Sequence, residues 1–291
     1  MPVAPLGLPG YAARMQPLPF RKMHGLGNDF VVIDGRRSAV DLTPEQLRRI
    51  GNRHRGVGFD QLVVVDPGDG ADARLRFFNA DGSGAGACGN ATRCVSRLLL
   101  DEASSTSELR LATDGGVLRA RRAGAGLYTV EMAVPRWHWD EVPLAQACDT
   151  IEVPLEIDGL GRPTALSMGN PHAVFFVPDL DAVDVPRLGA ELERHPMFPE
   201  RANIGFVQVL SPERIRLRVF ERGAGLTQAC GSGACAAMVA ARRRGLVGDA
   251  AVLILDGGEL LIAWPGEGPV AMTGPAAHVF EGELSAELLG G

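Results

Sequence analysis

Cys88 and Cys230 are the side chains of this sequence best placed to do chemistry. Each precedes a glycine at the end of a small-residue stretch, in GAGACGNATRC and LTQACGSGAC, and each is followed by an apolar run. That pattern predicts a turn entering a helix with the cysteine at its start. There the positive end of the helix dipole and the unpaired backbone N–H groups favour a thiolate. The same N–H groups bind carboxylates. Gly89, Gly231 and Gly233 let a ligand approach the backbone closely. A lone cysteine is more often a small buried hydrophobe. Two at equivalent helix starts point instead to a pair of acid–base groups, one taking a proton from one face of a carbon and the other returning one to the opposite face.

The equivalence comes from an internal repeat. Cys230 lies 142 residues after Cys88, and Arg216 lies the same 142 after Arg74. At this offset Gly27-Asn28 answers Gly169-Asn170, Gln61 answers Asn203, Phe78 answers Phe220, and Asp114-Gly115-Gly116 answers Asp256-Gly257-Gly258. One spacing held over such a length indicates a duplicated domain rather than a short solenoid repeat. Cys94 and Cys235, a turn or more inside the helices, read as structural, as does Cys148, which has no counterpart.

The helpers break the symmetry. His172 stands where the first copy has Phe30, Glu221 where it has Asn79, and Arg222 where it has Ala80. A single histidine is commonly structural, but two acid–base groups confined to one copy suit a chiral substrate with unlike ends. Asn28, Gln61, Asn79, Asn170 and Asn203 form a set of amides at strand ends and turns, four of them paired across the repeat. Arg222 carries a planar fork able to bind a carboxylate bidentately.

These groups need rigid elements behind them. FVVID, QLVVVD, RLRFF, ELRLAT and LYTVEM read as short strands. Thr43-Pro44-Glu45 before QLRRI reads as a capped helix start. Ala91, Cys94, Val95, Leu98 and Leu99 follow helical spacing, whereas GSGACAAMVAA is apolar nearly all round and predicts a helix enclosed by protein. Arg242, Arg243 and Arg244 before Gly245 read as a helix C-terminus. The expected fold class is α+β: two pseudo-symmetric domains, each a strand-rich unit around one buried helix, joined between Pro135 and Asp158.

Composition narrows the function. At 291 residues two domains are expected. A net charge of −6 argues against a nucleic-acid partner. No long uncharged apolar run predicts a membrane span. The first nineteen residues, rich in Pro and Gly, read as an extension rather than a signal peptide. Five cysteines, an odd count without CxxC spacing, and histidines without HxxxH spacing argue against a disulfide framework and a metal site. The expectation is a cytoplasmic enzyme with reduced thiols, acting on a small molecule.

HGLGNDFVVID, FFNADGSGAGACGNATRC, GNPHAV, RANIGFV and ERGAGLTQACGSGAC resemble, in order, the successive signatures of the diaminopimelate epimerase family. The resemblance runs from about Phe20 to the end. It implies a cofactor-independent interconversion of LL- and meso-diaminopimelate, serving lysine and cell-wall precursor synthesis, by a homodimer. It implies barrel-like mixed or antiparallel sheets around central helices. Their bounds would be 20–134, completed by 276–291, and 135–275, with 1–19 as the extension. It makes Cys88 and Cys230 the catalytic thiols and His172 and Glu221 their auxiliary pair. Gly89, Asn90, Gly231 and Ser232 would anchor the reacting carboxylate. Asn79, Asn203, Glu221 and Arg222 would grip the distal centre, with Asn28, Gln61 and Asn170 lining the pocket. Asn90-Ala91 in place of Asn-Gly, Gln228 before Ala229, and the GSGAGAC turn are departures that touch no reacting group. The alternatives are a proline racemase-like enzyme, a thiol redox protein and a non-enzymatic binding module.

Overall fold

The structure is a computed structural model describing residues 17–103, 106–157 and 159–290. Its elements run in two identical sequences. The first is β1 (Leu18–Gly25), β2 (Asn28–Asp34), α1 (Pro44–Gly51), β3 (Gln61–Pro67), β4 (Ala73–Asn79), β5 (Gly84–Ala85), α2 (Gly89–Glu102), β6 (Glu108–Thr113), β7 (Gly116–Gly124) and β8 (Leu127–Glu131). The second is β9 (Thr164–Ser167), β10 (Pro171–Phe176), α3 (Val185–Glu193), β11 (Asn203–Ser211), β12 (Arg214–Glu221), β13 (Gly225–Thr227), α4 (Gly231–Arg243), β14 (Ala250–Leu255), β15 (Gly258–Ala263) and β16 (Ala271–Pro275). A last strand, β17 (Ala277–Leu284), returns to pair with β1, Leu18 opposite Leu284. Leu18 and Pro19, assigned from sequence to the extension, therefore already belong to a strand, because the returning chain supplies their ladder partners. Residues 1–16 of that extension lie outside the described residues.

The repeat holds at the level of register. Phe30 lies opposite Gln61 in one parallel pair and His172 opposite Asn203 in the other. Ala73 meets Leu111, and Ile215 meets Leu253, each 142 residues further on. The two sheets join where β8 pairs antiparallel with β16. In that ladder Val130 faces Met272, two residues themselves 142 apart, so the pseudo-two-fold axis passes between them. Thr129 and Thr273 share a 2.7 Å hydroxyl hydrogen bond across the same seam.

Each half wraps its sheet around one helix and packs a second helix outside. Phe30 and Val32 of β2 join Ala91, Cys94, Val95 and Leu99 of α2 in the inner core, while Val31 and Ile33 meet Leu47 and Ile50 of α1 on the outer face. A strand covered on both faces needs apolar residues at every position, hence the unbroken FVVI run. In the second half Val174 faces the α4 core, whereas Ala173 and Phe175 pack with Leu188 and Leu192 of α3. Helix α4 is enclosed from Gly233 to Ala241, as its all-round apolar sequence predicts. Helix α1 has the expected cap: the Thr43 hydroxyl accepts from Gln46 N, and the Gln46 side chain accepts from Thr43 N. The three arginines do close α4, and two of them also hold the chain between the halves. Arg244 donates to Ile151 O, Arg162 O and the Thr164 hydroxyl, and Arg243 lies over the Trp137 ring. Among the described residues no helix is long and apolar enough to cross a membrane.

Candidate active site

Cys88 and Cys230 are the N-cap residues of α2 and α4, both in extended backbone conformation. The two helix starts meet over Met272. A Cβ added to Gly89 would lie 2.5 Å from Met272 Cε, and one added to Gly231 would lie 3.2 Å from its Sδ. Only glycine lets both backbones come this close to the axis. Asn90 bridges the halves, its amide donating to Ala229 O at 3.1 Å and to Asn28 Oδ1 at 3.2 Å. The matching bond in the second half runs from Asn170 to the Ser232 hydroxyl at 3.5 Å, with the donor on the opposite partner.

The second thiol has the richer surroundings. Cys230 Sγ accepts from Gly233 N at 3.3 Å and lies 3.6 Å from Ser232 Oγ. His172 Nε2 donates to Asn170 Oδ1 at 3.0 Å, so a polar chain runs His172–Asn170–Ser232–Cys230. His172 is the second residue of β10, on the face turned toward α4, and is fully buried. Burial, reinforced by the Arg222 charge, drops its imidazole to about 3, so it is neutral over the physiological range. Glu221 ends β12, accepts from the Thr227 hydroxyl and faces the Cys230 thiol. Its carboxyl is pushed up, chiefly by burial and also by the charge of Asp60.

Both thiols are weaker acids than a free cysteine. Desolvation raises Cys88 to about 11, with the Glu221 charge adding to the rise and backbone N–H groups of Ala91 and Asn90 opposing it. Cys230 is raised well above the ordinary value by burial first and the Glu221 carboxylate second. One carboxylate therefore bears on both thiols, which sets them about a common centre. Cys94, Cys148 and Cys235 are free thiols apart from these helix starts, and Cys94 and Cys235 lie in the inner cores.

The amides are tied into this frame. Gln61 donates to Asn79 Oδ1 at 3.0 Å, and Asn79 donates to the Ser83 hydroxyl. Asn203 donates to Pro171 O and accepts from Arg222 N at 2.9 Å, fixing the turn after β12. The Arg222 side chain is exposed, with one nitrogen on Glu200 O at 3.1 Å. Asp60 escaped the sequence reading because its repeat counterpart is Ala202. It accepts from the Asn28 amide at 2.8 Å and from Asp29 N, and Arg53 clamps both aspartates. Gln228, noted only as a departure, stands under Gly27, where an added Cβ would lie 2.1 Å from its Oε1. Met272 carried no polar signal that sequence reasoning could have used.

Two sheet-wrapped helices, each capped by a cysteine at its N-terminus, define a duplicated architecture whose fold is shared with solved structures of other proteins. A hydroxyproline epimerase from Agrobacterium vitis superposes with a TM-score of 0.67 at 16% identity, over 94% of each chain. A PhzF-family phenazine biosynthesis protein from Bacillus anthracis gives 0.66 at 15% identity, over 93% of this chain and 99% of that one. At such identities the likeness shows the fold alone. Sequence relatives go further. The family model for diaminopimelate epimerase matches residues 20–137 and 164–279. The diaminopimelate epimerase of Acidiphilium cryptum is 52% identical over 271 residues, 93% of this chain and 98% of its own. That of Phenylobacterium zucineum is 54% identical over 270 residues, 91% and 97% of the two chains. The chain belongs to the diaminopimelate epimerase family.

Proposed function

We propose that this protein is an isomerase that interconverts LL- and meso-diaminopimelate through Cys88 and Cys230, without a cofactor. The observation that carries the reading is the meeting over Met272 of the two helix starts that Cys88 and Cys230 cap, with Glu221 acting on both thiols. One cysteine, as thiolate, takes the α-proton from one face and becomes a thiol. The electron pair left on carbon spreads into the carboxylate, held by the N–H groups around Gly89-Asn90 and Gly231-Ser232. The opposite thiol gives its proton to the other face and becomes the thiolate. The centre is inverted, protons and charge balance, and the reverse direction starts from the exchanged state. Burial makes each thiol a weak acid and its thiolate a strong base, which suits a weakly acidic α-hydrogen.

His172 and Glu221 serve as the auxiliary acid–base pair, His172 reaching Cys230 through Asn170 and Ser232. Asn79, Asn203, Glu221 and Arg222 grip the distal amino-acid end, and Asn28, Gln61 and Asn170 line the pocket. The domains are residues 18–134 with 276–291, and 135–275, and they close around the substrate. The enzyme works in the cytoplasm on the route to lysine and peptidoglycan precursors. It acts as a homodimer, a second copy covering apolar surface such as Val279 and Phe280 of β17, which are exposed in the single chain.

The test is to incubate reduced protein with LL-diaminopimelate in heavy water and follow deuterium at the α-carbon together with stereochemistry. Deuterium entry with inversion is expected. Absence of exchange in fully reduced protein would sink the reading, and exchange on proline instead would favour a racemase.

A further inference from the structure

Arg93 is a charged group that the proposed proton transfers leave unused. It lies on α2, five residues after Cys88, and is fully buried. Its Nη1 contacts Met272 Sδ at 3.4 Å and its Nε reaches Pro275 O at 3.4 Å. Its Nη2 has no hydrogen-bond partner among the described residues, and a Cβ added to Gly25 would stand 3.0 Å from it. No salt bridge to a carboxylate is present among the described residues; the groups whose negative charge would bear on it are three thiols, Cys94 and Cys88 on its own helix and Cys235 on α4. Burial pushes Cys94 and Cys235 up to about 12, which leaves Cys88, the partly exposed one, to ionise.

An unpaired buried guanidinium is strongly unfavourable, and proteins that keep one normally give it an anion. The repeat supplies no second copy, because the position equivalent to Arg93 is Cys235. The Met272 side chain that touches Arg93 is the one beneath both Gly89 and Gly231. The cation thus lies directly behind the place where the two helix starts meet.

We propose that Arg93 is a positioning residue whose charge offsets the anion formed at Cys88 and the carboxylate held between the two helix starts. This deepens the two-thiol reading and rests on it. Facing Cys88 are Arg93 and the N–H groups of Asn90 and Ala91, which favour its thiolate, and Glu221 on β12, which opposes it. Facing Cys230 are Glu221, which opposes ionisation, and the Ser232 hydroxyl and Gly233 N–H, which favour it. The cation serves the first-half thiol alone, whereas the carboxylate burdens both.

The experiment measures iodoacetamide alkylation of each cysteine by peptide mass spectrometry across pH, in substrate-free Arg93→Met, Arg93→Lys and parent protein. In Arg93→Met the Cys88 rate at pH 8 should fall about tenfold, one pH unit of ionisation, while the Cys230 rate is unchanged. Arg93→Lys should keep most of the Cys88 rate, since it keeps the charge. Removing an unpaired buried charge should leave the melting temperature of Arg93→Met unchanged or higher. If Arg93→Met does not fold, Arg93→Gln against Arg93→Lys carries the same comparison. An unchanged Cys88 profile in the neutral variants, or an Arg93→Lys profile like theirs, would overturn the proposal. Parent turnover on diaminopimelate is measured separately, so failure of the Arg93 role and failure of the epimerase reading are told apart.

Discussion

The two Cys-Gly turns occupy equivalent places in a duplicated frame, and their surroundings differ. At the second turn Ala229 and Cys230 are buried, and the hairpin turn from the first half closes over them. Leu26, a non-glycine residue at φ 56°, joins the α4 core, and its carbonyl lies where a Cβ on Gly257 would sit, 2.0 Å away. At the first turn Gly86 and Ala87 are exposed and Cys88 is partly so. The equivalent hairpin there carries Gly169, around which an added Cβ would meet nothing within 4 Å. Gly115 and Gly257 make the same backbone bond, to Gly86 O at 3.0 Å and Gln228 O at 2.9 Å. Duplication preserved the ladder and the caps, and later divergence covered one thiol and left the other open. Two equivalent thiol positions with unequal exposure are thereby built into the same frame.

The sharpest test of the comparison removes the thiols one at a time. Cys88→Ser and Cys230→Ser should each slow epimerisation about a thousandfold or more, with the fold intact by circular dichroism. A variant with parent turnover would take its thiol out of the mechanism. Next come the covering contacts: Gly257→Ala should cost about 3 kcal/mol in thermal unfolding, since its Cβ meets backbone, whereas Gly115→Ala, 3.3 Å from the Ala87 Cβ, should cost less than about 1 kcal/mol. Equal losses would deny that only one turn is covered.

The buried imidazole gives the pH dependence its sign. His172 titrates near 6.5 in the unfolded chain and about 3 in the folded one, so the unfolded state binds the extra proton between those values. Stability is full above pH 6.5 and lost as pH falls, by about 2 kcal/mol at pH 5. Denaturant titrations should show that loss in the parent and not in His172→Gln. The smallest effect is expected at Ser232→Ala, which removes a hydroxyl that favours the Cys230 thiolate. Turnover should fall about fivefold, the worth of one modest hydrogen bond, and Cys230 alkylation should slow while Cys88 stays unchanged.

Much of this was legible because it is local or repeated. The helix starts at Cys88 and Cys230, the Thr43 cap and the enclosed α4 follow from turn chemistry and apolar spacing, which neighbours in sequence determine. The amide pairs were legible through the offset alone, whereas the contacts of Asn28 with Asn90 and of Asn170 with Ser232 came only with the structure. Asp60, Arg93 and Met272 were not, for a common reason. Each acts on elements far away in the chain and has an unlike counterpart, so neither spacing nor repetition marks it. Arg93 did carry one faint signal, an arginine beside Cys94 in a helix whose other buried residues are all uncharged.

The sequence by itself determined that the molecule is duplicated, which residues begin its central helices, and which side chains break the symmetry, because those are matters of order and period along one chain. Only the tertiary structure decided how the copies face each other. Antiparallel pairing of β8 with β16 puts the axis between Val130 and Met272, and the inner helix starts must then meet there. Which thiol is covered, and which has a cation behind it, depends on packing between elements remote in sequence, where no local rule operates.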